Sequence, residues 1–112
     1  MPTDRIIRSN FQVPPGPDQR IEVARLDVQA YEDLRIVAFN ASDSEDAVLL
    51  RLIFDENGEA FGPLDAIILA PGADVTQTYA VPGVVVLVTA ESTAGGSASG
   101  AILVFGARTG RR

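Results

Sequence analysis

The side chains able to do chemistry in this chain are carboxylates, hydroxyls and guanidinium groups. Its 112 residues include fifteen Asp and Glu and nine Arg, but no His, Cys, Lys or Trp. The usual general base near neutral pH, the thiolate nucleophile, Schiff-base chemistry and the softer metal ligands are therefore all missing. Carboxylate pairs remain, and glycoside hydrolysis is the reaction that uses them. That reaction also wants a cleft with aromatic walls. The aromatics here are Phe11, Tyr31, Phe39, Phe54, Phe61, Tyr79 and Phe105, and most of them fall where a core would use them. A carboxylate-based hydrolase ranks last among the functional readings, and the chain is read as a non-enzyme with no cofactor.

Other motifs lose their chemistry when their surroundings are considered. Asp43, Glu45 and Asp46 form one acidic cluster, and Asp55, Glu56, Asn57 and Glu59 form another at a hairpin tip. Calcium needs about six to eight oxygens around a turn, and neither cluster has the alternate-residue spacing of a calcium loop, so solvated turns are expected and no metal. The stretch from Gly95 to Gly100 invites a phosphate-loop reading, but no Lys follows it and the next residues, Ala101 to Phe105, read as a strand. A flexible loop over Ala94 to Gly100 is expected. Asn40-Ala41-Ser42 matches a glycosylation sequon, and is expected to be a turn.

Charge is distributed unevenly. Between Asp27 and Glu91 stand twelve acids against Arg35 and Arg51, a local charge of −10, whereas residues 1–26 and 92–112 carry +1 and +3. An acidic body repels phosphate and anionic lipid, which argues against nucleic acid or membrane as partners of the body. The start, Met1-Pro2-Thr3-Asp4-Arg5, has no apolar run behind it, and nowhere do about eighteen apolar residues stand together. Neither a signal peptide nor a membrane span is expected, and the expected location is the cytoplasm or a virion or similar particle.

The elements that position these groups are strands. Short runs rich in Val, Ile, Leu and Phe recur between Pro, Gly, Asn, Asp and Ser, and no long segment has a helical apolar period. Eight strands are predicted, over residues 6–13, 20–28, 34–40, 47–54, 64–69, 75–81, 84–90 and 101–106. The fold class is all-β, an antiparallel β-sandwich of about eight strands, jelly-roll-like. A phase jump at Ala24 and Arg25 suggests a bulge. Asn57-Gly58 predicts a tight type I′ hairpin turn, and Pro71-Gly72 and Pro82-Gly83 predict sharp turns. Pro14-Pro15-Gly16-Pro17 is a stiff joint, so residues 1–19 are read as an N-terminal arm and joint, 20–107 as the sandwich and 108–112 as a basic tail. The arm is expected to dock along a sheet edge or face with Phe11 and Val13 as apolar anchors.

Leu26-Asp27-Val28, Tyr31, Leu34-Arg35-Ile36-Val37 and Asn40, followed by Asn57-Gly58 and Leu69-Ala70-Pro71-Gly72, give residues 26–90 a strand-turn rhythm. It resembles that of jelly-roll modules of the galactose-binding-like and carbohydrate-binding type. The resemblance implies an eight-stranded, two-sheet fold and an alternative function, binding of carbohydrate or another small polar ligand. The chain departs from such modules in lacking Trp.

Strand faces carry the functional expectation. A sandwich strand normally has one apolar and one polar face, because the outer side of each sheet meets water. Here Val37 and Phe39 share the phase of Arg35, Leu49 and Ile53 share that of Arg51, and Val85 and Leu87 lie opposite Val86 and Val88. Apolar residues on an outward phase imply a cover. The chain is accordingly expected to be a homo-oligomeric structural or assembly module, of virion or protein-shell type, with Val37, Phe39, Leu49, Ile53, Val85 and Leu87 in its interface.

Overall fold

The alternating apolar runs fold as strands throughout. The computed structural model of the chain describes residues 3–56, 59–80 and 85–107, with side chains described for 6–55, 62–80 and 85–107. Its strands are β1 (Thr3–Val13), β2 (Arg20–Asp27), β3 (Asp33–Asn40), β4 (Val48–Glu56), β5 (Glu59–Leu69), β6 (Asp74–Ala80), β7 (Val85–Ser92) and β8 (Ala98–Ala107). Among the described residues there is no helix, and so none long and apolar enough to cross a membrane.

Two four-stranded antiparallel sheets form, one ordered β1-β8-β3-β6 and the other β2-β7-β4-β5. The antiparallel pairs β1 with β8, β2 with β7, β3 with β6 and β4 with β5 describe one long hairpin. Rolling that hairpin up brings β8 against β3 and β7 against β4, which completes the two sheets. This is the jelly-roll sandwich. Glu56 pairs with Glu59 at the tip. The Asn57-Gly58 and Pro82-Gly83 turns lie outside the described residues, as does the tail 108–112.

Two strand starts and one bulge that differ from the expected ones have physical reasons. β8 begins at Ala98, inside the expected glycine-rich loop, because it is paired on both sides and its neighbours capture Ser99 and Gly100. β5 begins at Glu59, five residues before Leu64, running through Pro63. An edge strand tolerates a proline, and the register shifts around it. The β2 bulge falls between Glu22 and Ala24, one residue earlier than expected. It turns both Val23 and Ala24 inward, with Leu26 and Val28 continuing the buried phase.

The inner faces meet in a core of aliphatic side chains. One sheet contributes Leu34, Ile36, Ile102 and Val104, and the other Leu26, Val48, Leu50, Leu52, Val86 and Val88. The segment read as an arm is β1, the edge strand of the first sheet, and Phe11 and Val13 are buried in this core. Two glycines of β8 admit aromatic rings: a Cβ on Gly100 would strike the ring of Phe11 and the backbone of Phe39, and one on Gly106 would lie 2.5 Å from the Tyr31 ring. The sides of the sandwich are each closed by a side-chain hydrogen bond. Ser9 Oγ donates to the Val23 carbonyl at 2.9 Å between β1 and β2, and Tyr79 Oη donates to Asp65 Oδ2 at 2.6 Å between β6 and β5.

Candidate functional site: two outer sheet faces

The polar groups with chemical potential are mostly occupied in holding loops together. Asn40 is 1% exposed, and its Nδ2 donates to the carbonyls of Asp46 (3.0 Å) and Leu69 (2.9 Å), tying the end of β3 to two connections. Such burial removes the sequon asparagine from the surface. In the β3–β4 loop, Glu45 accepts from the Ser97 backbone amide (2.8 Å) and hydroxyl (3.0 Å), and Asp46 accepts from Ser92 Oγ and the Gly96 amide. The Ser97 bonds hold the Glu45 carboxyl below its ordinary pKa by favouring the charged form. The acidic loop is thus latched onto the glycine-rich connection. Among the described residues, no group of three acidic, His or Cys side chains is placed to hold a metal. A hollow of about 660 Å³ between residues 16–19 and 91–95 is lined by backbone, small side chains, Gln19, Asp18 and Glu91.

The outer face of the first sheet is built differently. Across β1, β8, β3 and β6, one row reads Arg8, Leu103, Val37, Thr76 and the next reads Asn10, Ala101, Phe39, Asp74. Phe105 pairs with Arg35 in the row beyond. Val37, Leu103 and Phe105 are half-buried and Phe39 is 43% exposed, on a strand with neighbours on both sides. The centre of this face is therefore apolar, with Arg8, Arg35, Thr76 and Asp74 around it. A shallow hollow of about 210 Å³ is lined by Arg8, Val37, Phe39, Ala101 and Leu103.

The outer face of the second sheet alternates charge with apolar surface. Arg20, Glu91, Leu49 and Ile68 form one row, Glu22, Thr89, Arg51 and Ala66 the next, and Arg25, Leu87, Ile53 and Pro63 a third. Glu91 Oε1 takes both Arg51 Nε (3.0 Å) and Arg20 Nε (3.4 Å), so one carboxylate serves two guanidinium groups. Arg25 reaches over the sheet to the buried Asp55 carboxylate, which raises the Arg25 pKa chiefly through that hydrogen bond. Between these clusters lies a groove of about 270 Å³ lined by Leu52, Ile53, Gly62, Pro63, Asp65 and Ala66 together with Arg20 and Arg51. Ile68, further along β5, is 66% exposed.

The six residues expected to share an interface are divided between the two faces. Val37 and Phe39 lie on the first sheet, and Leu49, Ile53, Val85 and Leu87 on the second, on the opposite side of the slab. Strand phase marks a residue as outward but is silent about which sheet it will join. Leu103, Phe105 and Ala101 complete the first face and were missing from the expected set. Their phase, opposite Ile102 and Val104, was available to find them. Ile68 was also missed. Its only signal is the doublet Ile67-Ile68, which puts an apolar residue on both faces of β5.

No protein-family model matches the chain, and no curated protein matches it significantly. Solved structures do. The chain is similar to a subunit described under "Bacillus endospore appendages form a novel family of disulfide-linked pili", with TM-score 0.55 and 10% identity over 96% of this chain and 88% of that one. It is similar to the Yersinia pseudotuberculosis-derived mitogen, with TM-score 0.57 and 8% identity over 95% and 88%. It is also similar to the SPBc2 prophage-derived protein YomS, with TM-score 0.50 and 16% identity over 93% and 96%. At these identities the likeness is one of fold: all three are neighbours of an all-β sandwich. None is described as a carbohydrate-binding module, so the sandwich implied by the resemblance stands without its galactose-binding-like assignment.

Proposed function

We propose that this chain is a non-enzymatic structural module that self-associates through its broad sheet faces. The observation that carries this reading is Phe39, 43% exposed beside Ala101, Val37 and Leu103 on the solvent side of a two-neighbour strand. An isolated sandwich places polar residues there, and a contiguous apolar patch on such a face is characteristic of an interaction surface. The polar groups point the same way, because Glu45, Asp46, Asp55, Asp65 and Glu91 all engage structural partners. The pilus subunit and the prophage protein among the fold neighbours support an assembly role, and with it a particle or appendage as the setting.

The test is molar mass by light scattering from about 10 µM upward, a range in which interfaces of ordinary size associate. The wild-type chain is expected to exceed the monomer mass, and Phe39→Asp to return it to monomer with little change in melting temperature, since an exposed position contributes little to the fold. A wild-type chain that stays monomeric at high micromolar concentration overturns the proposal.

A further inference from the structure

The outer face of the first sheet carries a knob and a hollow side by side. Phe39 on β3 projects at 43% exposure, whereas its row neighbour on β8 is the buried Ala101, and a hollow of about 210 Å³ lies over Ala101 and Leu103 between Val37 and Arg8. A dry cavity of about 150 Å³ holds benzene, so the hollow has room for a phenyl ring. The charges of this face are set apart: Arg8 stands on the edge strand β1, Asp74 on the opposite edge strand β6, and Arg35 beside Phe105 between them. Among the described residues none of these three makes an ion pair. On the second sheet the charges are engaged with one another instead, Glu91 with Arg20 and Arg51, and Arg25 with Asp55 and Glu22, while Asp65 accepts from Tyr79.

We infer that the partner of the first face is the same face of a second copy, the two related by a two-fold axis that runs along the strands between β8 and β3. This rests on the self-association proposed above and specifies its geometry. Such an axis lays β8 over β3, and β1 over β6, of the other copy and keeps each row opposite its equivalent. Phe39 then enters the other copy's hollow at Ala101, Leu103 meets Val37, and the Arg35 guanidinium meets the Phe105 ring as a cation–π pair. At the edges, Asn10 lies opposite Asp74 and Arg8 reaches the same carboxylate from one row along, so both edges of the contact join an arginine to an acid. An axis across the strands would set β1 against β1 and β6 against β6, like charge against like. In projection the face, four strands about 4.8 Å apart with eight residues in β3, covers about 500 Å². That is below the roughly 800 Å² per partner of an ordinary stable interface, so the contact is a reversible one, and the second face stays outside it.

The experiment is a charge swap on the whole chain, read as molar mass by light scattering against concentration. Arg8→Glu and Asp74→Arg each set like charges together at both edges of the two-fold contact, and each is expected to weaken association at least about tenfold. The double variant exchanges the signs and is expected to recover wild-type association to within about threefold. Both positions are exposed on edge strands, so the fold is expected to persist, as circular dichroism will check; if Asp74→Arg does not fold, Asp74→Lys replaces it in both variants. Ile68→Glu, on the second face, is expected to leave the dimer in place. A double variant that associates no better than Arg8→Glu overturns the inference, and so does a single variant that associates like wild type; in either case loss of association in Phe39→Asp still upholds self-association through the first face. A monomeric Ile68→Glu overturns it as well, by making the second face part of the contact. A monomeric wild type defeats both the inference and the reading on which it rests.

Discussion

Two tyrosines, and no Lys, Cys or His, leave little in this chain to titrate between neutrality and strong alkali apart from the terminal amine. One of them, Tyr79, donates to the Asp65 carboxylate, and burial followed by that hydrogen bond pushes its pKa up. A raised folded-state pKa means that the unfolded chain releases its proton first. The stabilisation is therefore complete below the ordinary tyrosine pKa of about 10 and is lost as pH rises above it. The melting temperature should stay nearly level from about pH 6 to 9 and then fall, and Tyr79→Phe should flatten most of that alkaline fall while costing about 1–2 kcal/mol at pH 7 through the lost hydrogen bond. An unchanged alkaline limb in the variant would refute the role given to this staple. At the acid end, Glu45, held low by Ser97, contributes above the ordinary glutamate range and ceases to do so as pH falls through its depressed pKa. The same residues mark a limit of sequence reading. Asp43, Glu45 and Asp46 stood out as an acidic cluster, but the partners of Glu45 and Asp46 among residues 92–97 are about fifty positions away, and no local pattern announces that meeting.

Among the elements, β1 has the most to tell. It pairs with β8 along its whole length, supplies Phe11 and Val13 to the core and bonds to β2 through Ser9. Deleting residues 1–13 should therefore uncover the β8 edge and open two core sites, costing several kcal/mol against a total stability of about 5–15 kcal/mol for a domain. The expected result is a large drop in melting temperature or aggregation through the bare edge, with raised salt alone doing much less, since exposed ion pairs contribute only about 0–1 kcal/mol each. A truncated chain that melts like the full one would contradict this. All eight strands were legible in the sequence, because apolar alternation of period two is a direct print of a half-buried strand. Strand ends were less legible. Pro63 argued against extending β5 towards the tip, and only the strand's place at a sheet edge makes that proline acceptable. The outward phase of Phe39 and Ile53 was equally plain, but their separation onto opposite faces follows from the rolling of the hairpin, a long-range event that no strand records locally.

At the scale of the whole molecule, the proposed self-association through the broad faces of a thin slab would stack copies rather than join them side by side. Packed sheets lie about 10 Å apart, so copies joined face to face would alternate one spacing within the sandwich and one between sandwiches, a rise of about 20 Å per copy. If the proposed self-association builds filaments, their rise per copy in electron micrographs should lie near that value, whereas growth along the long axis of the slab would rise nearer its 48 Å extent. The pairing of β1 with β8 bears on what such a structure could carry. Thr3 is the strand partner of Ala107, so the first and last strands begin and end at a single corner of the slab. Anything tethered to either end of the sandwich would start from that one corner, and a column built by the proposed self-association would present its attachments as a regularly spaced fringe.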